Sequence, residues 1–419
     1  MPVDQAELGR RIRQAREACG MTQEDVARAL GVSRATITQI ELGNRSVSGL
    51  ELDRLAYLFA RDIREFLAEE FTEDDLIHAL FRSQDQADTD GVKQALRDCI
   101  ALGHELTSLE ELLGINKALK TVAEYPFATP RSKWEAIQTG ARVAQEERRR
   151  LGLGSAPLGD LVQLLEGEGI RTGLVSMPSD VSGLTISHPR VGLFVVINRD
   201  HSATRQRFSW CHEYGHVLLD REAGGIVSRE ADRTSLKEVR ANSFGANLLM
   251  PEEGVRQFVA GLGKGASSRV LADVFDEAGV VAVDTRTEPG SQDLQLYDVV
   301  QLAHFFGVSP SSALYRLRNL RLLTEAEFER LKALDEAGNS YKIAQFMGLP
   351  VQDGERHANE FARRFLGLAL EAYRRQLISR TKLSELAERV GISRDALDNL
   401  VRSAGLEEPE EHSVLVPRL

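Results

Sequence analysis

Cysteine is scarce in this 419-residue chain, with only Cys19, Cys99 and Cys211, far apart. Thiols so scattered do not form a disulfide framework and point to a reducing compartment, the cytoplasm. Long apolar runs are missing too. No stretch approaches the roughly 20 apolar residues that a membrane-spanning helix needs. The opening Met-Pro-Val-Asp-Gln-Ala-Glu also lacks the basic and then apolar segments of an export signal. The expectation is a cytoplasmic protein with no membrane partner. Positive charge is outweighed, 52 Lys and Arg against 63 Asp and Glu, for a formal net charge of -11. Phosphate repels such a chain at long range, so any nucleic-acid binding has to be local. The remaining composition, 42% hydrophobic and 27% charged, is that of a globular protein, and the length fits two or three domains.

What is present centres on Arg207-Phe-Ser-Trp-Cys-His-Glu-Tyr-Gly-His216, which contains an H-E-x-x-H sequence. Residues four apart on a helix project from one face, so His212 and His216 can aim both imidazoles at one point, with Glu213 beside it. Catalytic zinc usually takes three protein ligands and keeps one position open. The candidate for the third is Glu238, at the head of an apolar helical pattern that Pro251 stops. Zinc suits two histidines and a carboxylate; manganese or iron are alternatives. The chemistry expected of the set is peptide hydrolysis, with Glu213 taking the proton of the attacking water and passing it to the leaving amine. H-E-x-x-H alone is short enough to arise by chance on an amphipathic helix. Here a strand-like run, Val191 to Asn198, precedes it and an acidic helix follows.

The segments Val195-Val-Ile-Asn198, Arg207 to Leu219 and Glu238-x-x-Ala-Asn-x-Phe-Gly-Ala-x-Leu-Leu-Met-Pro251 resemble the ImmA/IrrE-type metallopeptidases over roughly 132 to 347. The resemblance implies metal binding by His212, His216 and Glu238, catalysis by Glu213, and cleavage of a helix-turn-helix repressor under stress. Trp210-Cys211 departs from the small or apolar residues more usual before the first histidine. A packed thiol is the expected reading of Cys211.

Leu8-Gly-Arg-Arg-Ile12 opens a first helix, with Arg10, Arg11, Arg13 and Arg16 among its apolar positions. Thr22 caps a second helix, Gly31 turns the chain, and Ser33 caps a third, Arg34 to Leu42. The pattern from Thr22 to Arg45 resembles the XRE (Cro/C1-type) helix-turn-helix family over about 7 to 67. That implies a double-stranded DNA operator, with Gln23 and Ser33 at phosphates and Arg34, Thr38 and Gln39 near bases. The arginines of the first helix are expected to supply positive surface.

Between and beyond these modules the reading is coarser. Apolar spacing predicts helices over 71–81 and from Val92 through Leu113, whose long stripe is either a homodimer seam or an intramolecular brace. Strands are expected at Gly169–Leu174, Gly183–Ile186 and Val191–Ile197, with Gly183–Ile186 as the edge that holds substrate. The Gly- and Ser-rich region 261–292 reads as a loop or flap, and 407–412 as a flexible tail. Ala387-x-x-Val-Gly-Ile-Ser-Arg394-x-x-Leu-x-x-Leu400 echoes Ala27-x-x-Leu-Gly-Val-Ser-Arg34-x-x-Ile-x-x-Ile40. Glu385, Glu388, Asp395 and Asp398 around the second copy would face phosphates unfavourably, so packing or partner binding is expected of it.

The fold class expected is multidomain and mainly α, with an α+β zincin-like peptidase domain built on a small mixed sheet. Its parts are an all-α helix-turn-helix domain (1–67), a helical linker or dimerisation segment (68–124), the peptidase domain (131–350) and a helical C-terminal region (351–419). The function expected is a DNA-binding regulator whose zinc endopeptidase cleaves a repressor or itself. The rival readings are a transcription factor whose peptidase-like half only senses a ligand, or an antitoxin that binds a partner without proteolysis.

Overall fold

The computed structural model describes residues 3–61, 63–68, 90–115, 122–188, 192–221, 225–265, 269–276, 279–286, 292–350 and 360–406, with 90–96, 188, 269–286 and 360–361 as backbone only. The chain divides into two compact units, one built from 1–120, 188–192 and 355–419, the other from 121–187 and 193–354. The expected helix over 71–81 and the tail at 407–412 lie outside the described residues.

The first unit begins with five short helices, α1 (Gln5–Ala18), α2 (Gln23–Leu30), α3 (Arg34–Glu41), α4 (Gly49–Leu58) and α5 (Ile63–Leu67). Their ends follow from the sequence: Asp4, Thr22, Ser33 and Ser48 each accept a hydrogen bond from the backbone three residues on, satisfying amides that the first turn leaves unpaired. Ile12, Ala15, Val26, Ile37, Ile40, Leu55 and Phe59 form the core that they share. The long helix α6 (Asp90–Leu112) follows.

In the second unit come α7 (Lys133–Arg150), α8 (Leu161–Gly167), β1 (Arg171–Val175), β2 (Val181–His188), β3 (Gly192–Asn198), α9 (Ala203–Leu219), β4 (Gly225–Arg229), α10 (Leu236–Leu249) and α11 (Glu252–Gly261). The sheet is mixed, in the order β1-β3-β2-β4, with β1 parallel to β3 and β2 antiparallel to β4. Gly183–Ile186 is therefore internal, not the expected edge. The edge on that side is β4, a five-residue strand whose brevity and opening Gly225 hide it in the sequence. A hairpin of β5 (Arg269–Asp276) and β6 (Gly279–Arg286) replaces the expected loop. Its Val-rich runs on either side of Gly279 form a ladder that the flanking glycines and serines masked. Four helices complete the unit, α12 (Leu296–Phe306), α13 (Pro310–Asn319), α14 (Glu325–Glu336) and α15 (Asn339–Phe346).

The last three helices, α16 (Glu360–Arg374), α17 (Arg380–Arg389) and α18 (Arg394–Ser403), return to the first unit. Phe365, Ala369, Leu383, Leu386 and Leu397 bury against Leu102, Leu106 and Leu109 of α6, so the α6 stripe is a brace within the unit. Charges join the same helices to α4: Lys382 reaches Asp53 at 2.8 Å and Glu105 at 3.0 Å, and Arg389 pairs with both carboxylates while covering the Tyr57 ring. The repeated Ala-x-x-Val-Gly-Ile-Ser segment thus packs, as expected of it.

Helix α10 lies between α7 and α9 and carries Ala241, Phe244 and Leu248 into the core of the second unit. The α7 crossing is close because Gly140 has no side chain: a Cβ there would lie 2.3 Å from Arg240 O and 2.9 Å from Phe244 N. Gly140→Ala is expected to destabilise the second unit by about 1–3 kcal/mol through overpacking, despite alanine's better helix propensity. Urea unfolding followed by tryptophan fluorescence measures it, and an unchanged midpoint would contradict the close crossing.

Candidate metal centre and nucleic-acid interface

The entry to α9 is fixed by buried Asn198, whose Nδ2 donates to the carbonyls of Met177, Pro178 and Val181, and by Gln206, whose amide donates to Arg199 O and His201 O. From that start, about two and a half turns bring His212, and one turn more His216, to the face that looks at α10. Glu238, in the first turn of α10, comes within 3.1 Å of His212 Nε2 through one oxygen and within 3.1 Å of His216 Nε2 through the other. The two Nε2 atoms are 3.2 Å apart. All three residues are buried. Ligands of a tetrahedral zinc at about 2.0–2.2 Å stand roughly 3.4 Å from one another, so this triangle needs only slight expansion to hold the ion.

The opposite ring nitrogens are already committed. His216 Nδ1 lies 3.0 Å from Asp220 Oδ2, and His212 Nδ1 lies 3.0 Å from Asn242 Oδ1, which leaves both Nε2 atoms for a metal. Asp220 also takes a 2.6 Å hydrogen bond from Arg240, a fully buried guanidinium on α10, so one carboxylate orients the imidazole and ties the end of α9 to the helix that brings Glu238. Burial opposes charge on His216, yet its hydrogen bonds to Asp220 and Glu238 and the nearby Glu213 raise it to about 10. Burial likewise opposes ionisation of Glu238, but the two histidines hold it down at about 2.

Glu213 is fully buried. Its Oε2 accepts a 2.7 Å hydrogen bond from Thr185 on β2, while Oε1 has no hydrogen-bond partner among the described residues. That oxygen sits over Gly183, where a Cβ would come within 2.9 Å of it. An acceptor so positioned and left unpaired beside a metal-ligand triangle can take a proton from a water. Cys211 is packed away, its thiol pushed up to about 12 by burial, as expected of it. Four residues that sequence reasoning did not single out complete the site: Thr185, Asp220, Asn242 and Ser228, whose Oγ lies 3.2 Å from His212 Nε2. Asp220 and Asn242 carried a signal, since each follows a ligand by four residues, one helical turn. Thr185 and Ser228 come from strands and carried none.

In the first unit, α2 and α3 bring the five residues expected at DNA onto neighbouring helices. Thr38 donates to Gln23 at 3.1 Å, and Gln23 in turn donates to Glu41 at 2.8 Å. Gln39 accepts from Asn44 at 3.0 Å, and Ser33 is the α3 cap. Arg34 is exposed at the start of α3 and makes no ion pair among the described residues. The α1 arginines, expected to supply positive surface, are each paired with a carboxylate. Arg10 and Arg11 pair with Glu7, Arg13 with Glu17, and Arg16 with buried Glu41. Arg11 is itself buried, donating to Phe66 O and Ala68 O. Glu7 and Glu17 stand on α1 at helical spacing from their arginines, and only Glu41 comes from another helix.

Two family models match the chain, an IrrE N-terminal-like domain of the M78 peptidases over residues 167–318 and a helix-turn-helix domain over residues 7–66. No curated protein matches it. The first match spans β1 to α13 and takes in the whole metal-ligand triangle. Among the described residues no helix is long and apolar enough to cross a membrane.

Because His216 holds its proton up to about pH 10 in the metal-free protein, a metal must displace that proton. Zinc uptake is therefore expected to release close to one proton per ion between pH 6 and 8, and affinity to rise about tenfold per pH unit over that range. Calorimetry in two buffers of different ionisation enthalpy counts the protons, and a count of zero would contradict the arrangement.

Proposed function

Because the chain joins a helix-turn-helix domain to an IrrE-like domain, we propose that it is a DNA-binding transcriptional regulator carrying a zinc-dependent endopeptidase, which cleaves a helix-turn-helix repressor or itself in a stress response. The observation that carries the reading is the unpaired Glu213 Oε1 beside the buried triangle of His212, His216 and Glu238. Those three would hold zinc, with manganese or iron as alternatives, and the ion when bound supplies polarisation of a carbonyl and a more acidic water. The protein's own part is geometric and protic. Thr185 holds one oxygen of Glu213, the other accepts the proton of the attacking water, and the same carboxyl returns it to the leaving amine as the C–N bond breaks. A substrate segment adds as a strand beside β4, the sheet edge that brings Ser228 to the site.

Native mass spectrometry of the zinc-loaded wild type beside Glu213→Ala, alone and with a helix-turn-helix repressor from the same cell, tests this. Fragments from the wild type alone are expected, with at least a hundredfold slower cleavage in the variant. Intact proteins throughout would sink the peptidase reading.

For the DNA-reading helix, Arg34→Ala is expected to weaken binding to a duplex selected from a random pool by about 1–3 kcal/mol and to relax its sequence preference. Fluorescence anisotropy at fixed salt measures both; unaltered affinity would remove Arg34 from the interface.

A further inference from the structure

We propose that Ser228 is a catalytic hydrogen-bond donor that holds the scissile carbonyl oxygen of the substrate; the inference rests on the peptidase reading above. Ser228 lies on the edge strand β4 and is almost completely buried. The one side-chain hydrogen bond of its hydroxyl among the described residues is to His212 Nε2, at 3.2 Å. That nitrogen is the atom His212 offers to a metal, since Nδ1 is engaged by Asn242. With its Nε2 lone pair given to a metal, His212 would no longer accept from the Ser228 hydroxyl, which would then be left without that partner. Buried polar groups are seldom left so, and a hydroxyl at a reactive centre without a resident partner is available to a ligand.

The strand register says where that ligand group would be. Ser228 is the direct cross-strand partner of Gly183. Opposed residues in an antiparallel pair share one face of the sheet, with their Cβ positions about 5 Å apart. The space where Gly183 lacks a Cβ is the space bordered by Glu213 Oε1. A donor hydroxyl and an unpaired acceptor oxygen thus flank one small region of the sheet face, beside the metal-ligand triangle. The acceptor serves the attacking water. The donor serves the carbonyl oxygen, where negative charge grows as the water oxygen bonds to the carbon, and such donors act most strongly where water is excluded. Ser228 keeps its proton throughout: the new bond is C–O, the broken one is C–N, and the travelling proton goes from water to Glu213 to the amine.

The test uses the full-length zinc-loaded protein, its Ser228→Ala and Ser228→Thr variants, and acetohydroxamate as a small carbonyl probe. Zinc affinity is measured by competition with a chromogenic chelator and probe affinity by calorimetry. Ser228→Ala is expected to keep zinc within a few-fold of wild type but to bind acetohydroxamate on the order of tenfold to a hundredfold more weakly, with Ser228→Thr recovering most of the loss. Equal probe affinity in wild type and Ser228→Ala overturns the proposal. So does loss of zinc from Ser228→Ala, which would make the hydroxyl a support of the metal site itself, and so does a zinc-loaded wild type that takes no probe. A wild type that binds no zinc at the triangle overturns the peptidase reading and this inference with it.

Discussion

Two helices must come close enough for one carboxylate to touch two imidazoles, and this constraint orders the second unit. Glu238 reaches both Nε2 atoms only because α10 is pressed between α9 and α7, and the α7 side of that contact has no room for a single methyl group at Gly140. The Arg240–Asp220–His216 chain adds direction to closeness. Its guanidinium is on α10 and its imidazole on α9, so a shift of either helix along its axis breaks a buried charge contact as well as the approach of Glu238 to the histidines. Uncompensated buried charge is costly, which makes the register between the helices stiff.

The sheet contributes a different kind of order. β2 lies inside the sheet, so its Thr185 and Gly183 are held by ladders on both sides, and Glu213 meets the Thr185 hydroxyl on one oxygen and the bare backbone of Gly183 on the other. Among the described residues β4 has a strand neighbour on one side only. Glu213 is therefore referred to an internal strand, and Ser228 to the strand at the sheet's edge.

How much of this was legible depended on the period of the pattern. Helical spacing of four gave His212, Glu213 and His216 directly, and an acidic helix start ended by Pro251 gave Glu238. The same spacing would have given Asp220 and Asn242 had each ligand been followed one turn further. The two strand residues of the site, Thr185 and Ser228, are neighbours only through the fold: β2 and β4 are separated in sequence by β3 and α9, and the pairing of Gly183 with Ser228 spans 45 positions. The edge strand was misplaced for the same reason, because a five-residue run that itself opens on a glycine has too little pattern to announce itself. Charge was misread where partners are distant in sequence, as with Arg16 and Glu41.

The first unit takes its substance from both ends of the chain: Leu106 and Leu109 come from one side of the second unit in sequence, Phe365, Leu386 and Leu397 from the other, and they share one core. Covalent continuity and physical continuity are thus different things in this protein. A single cut anywhere between 121 and 354 divides the polypeptide in two, yet each piece keeps half of a buried apolar contact that water still drives together. Such a nick is visible after denaturation and silent before it, and the helix-turn-helix domain stays attached to the helices that brace it. Scission by itself is a mark on the molecule; letting go requires that the shared core open as well.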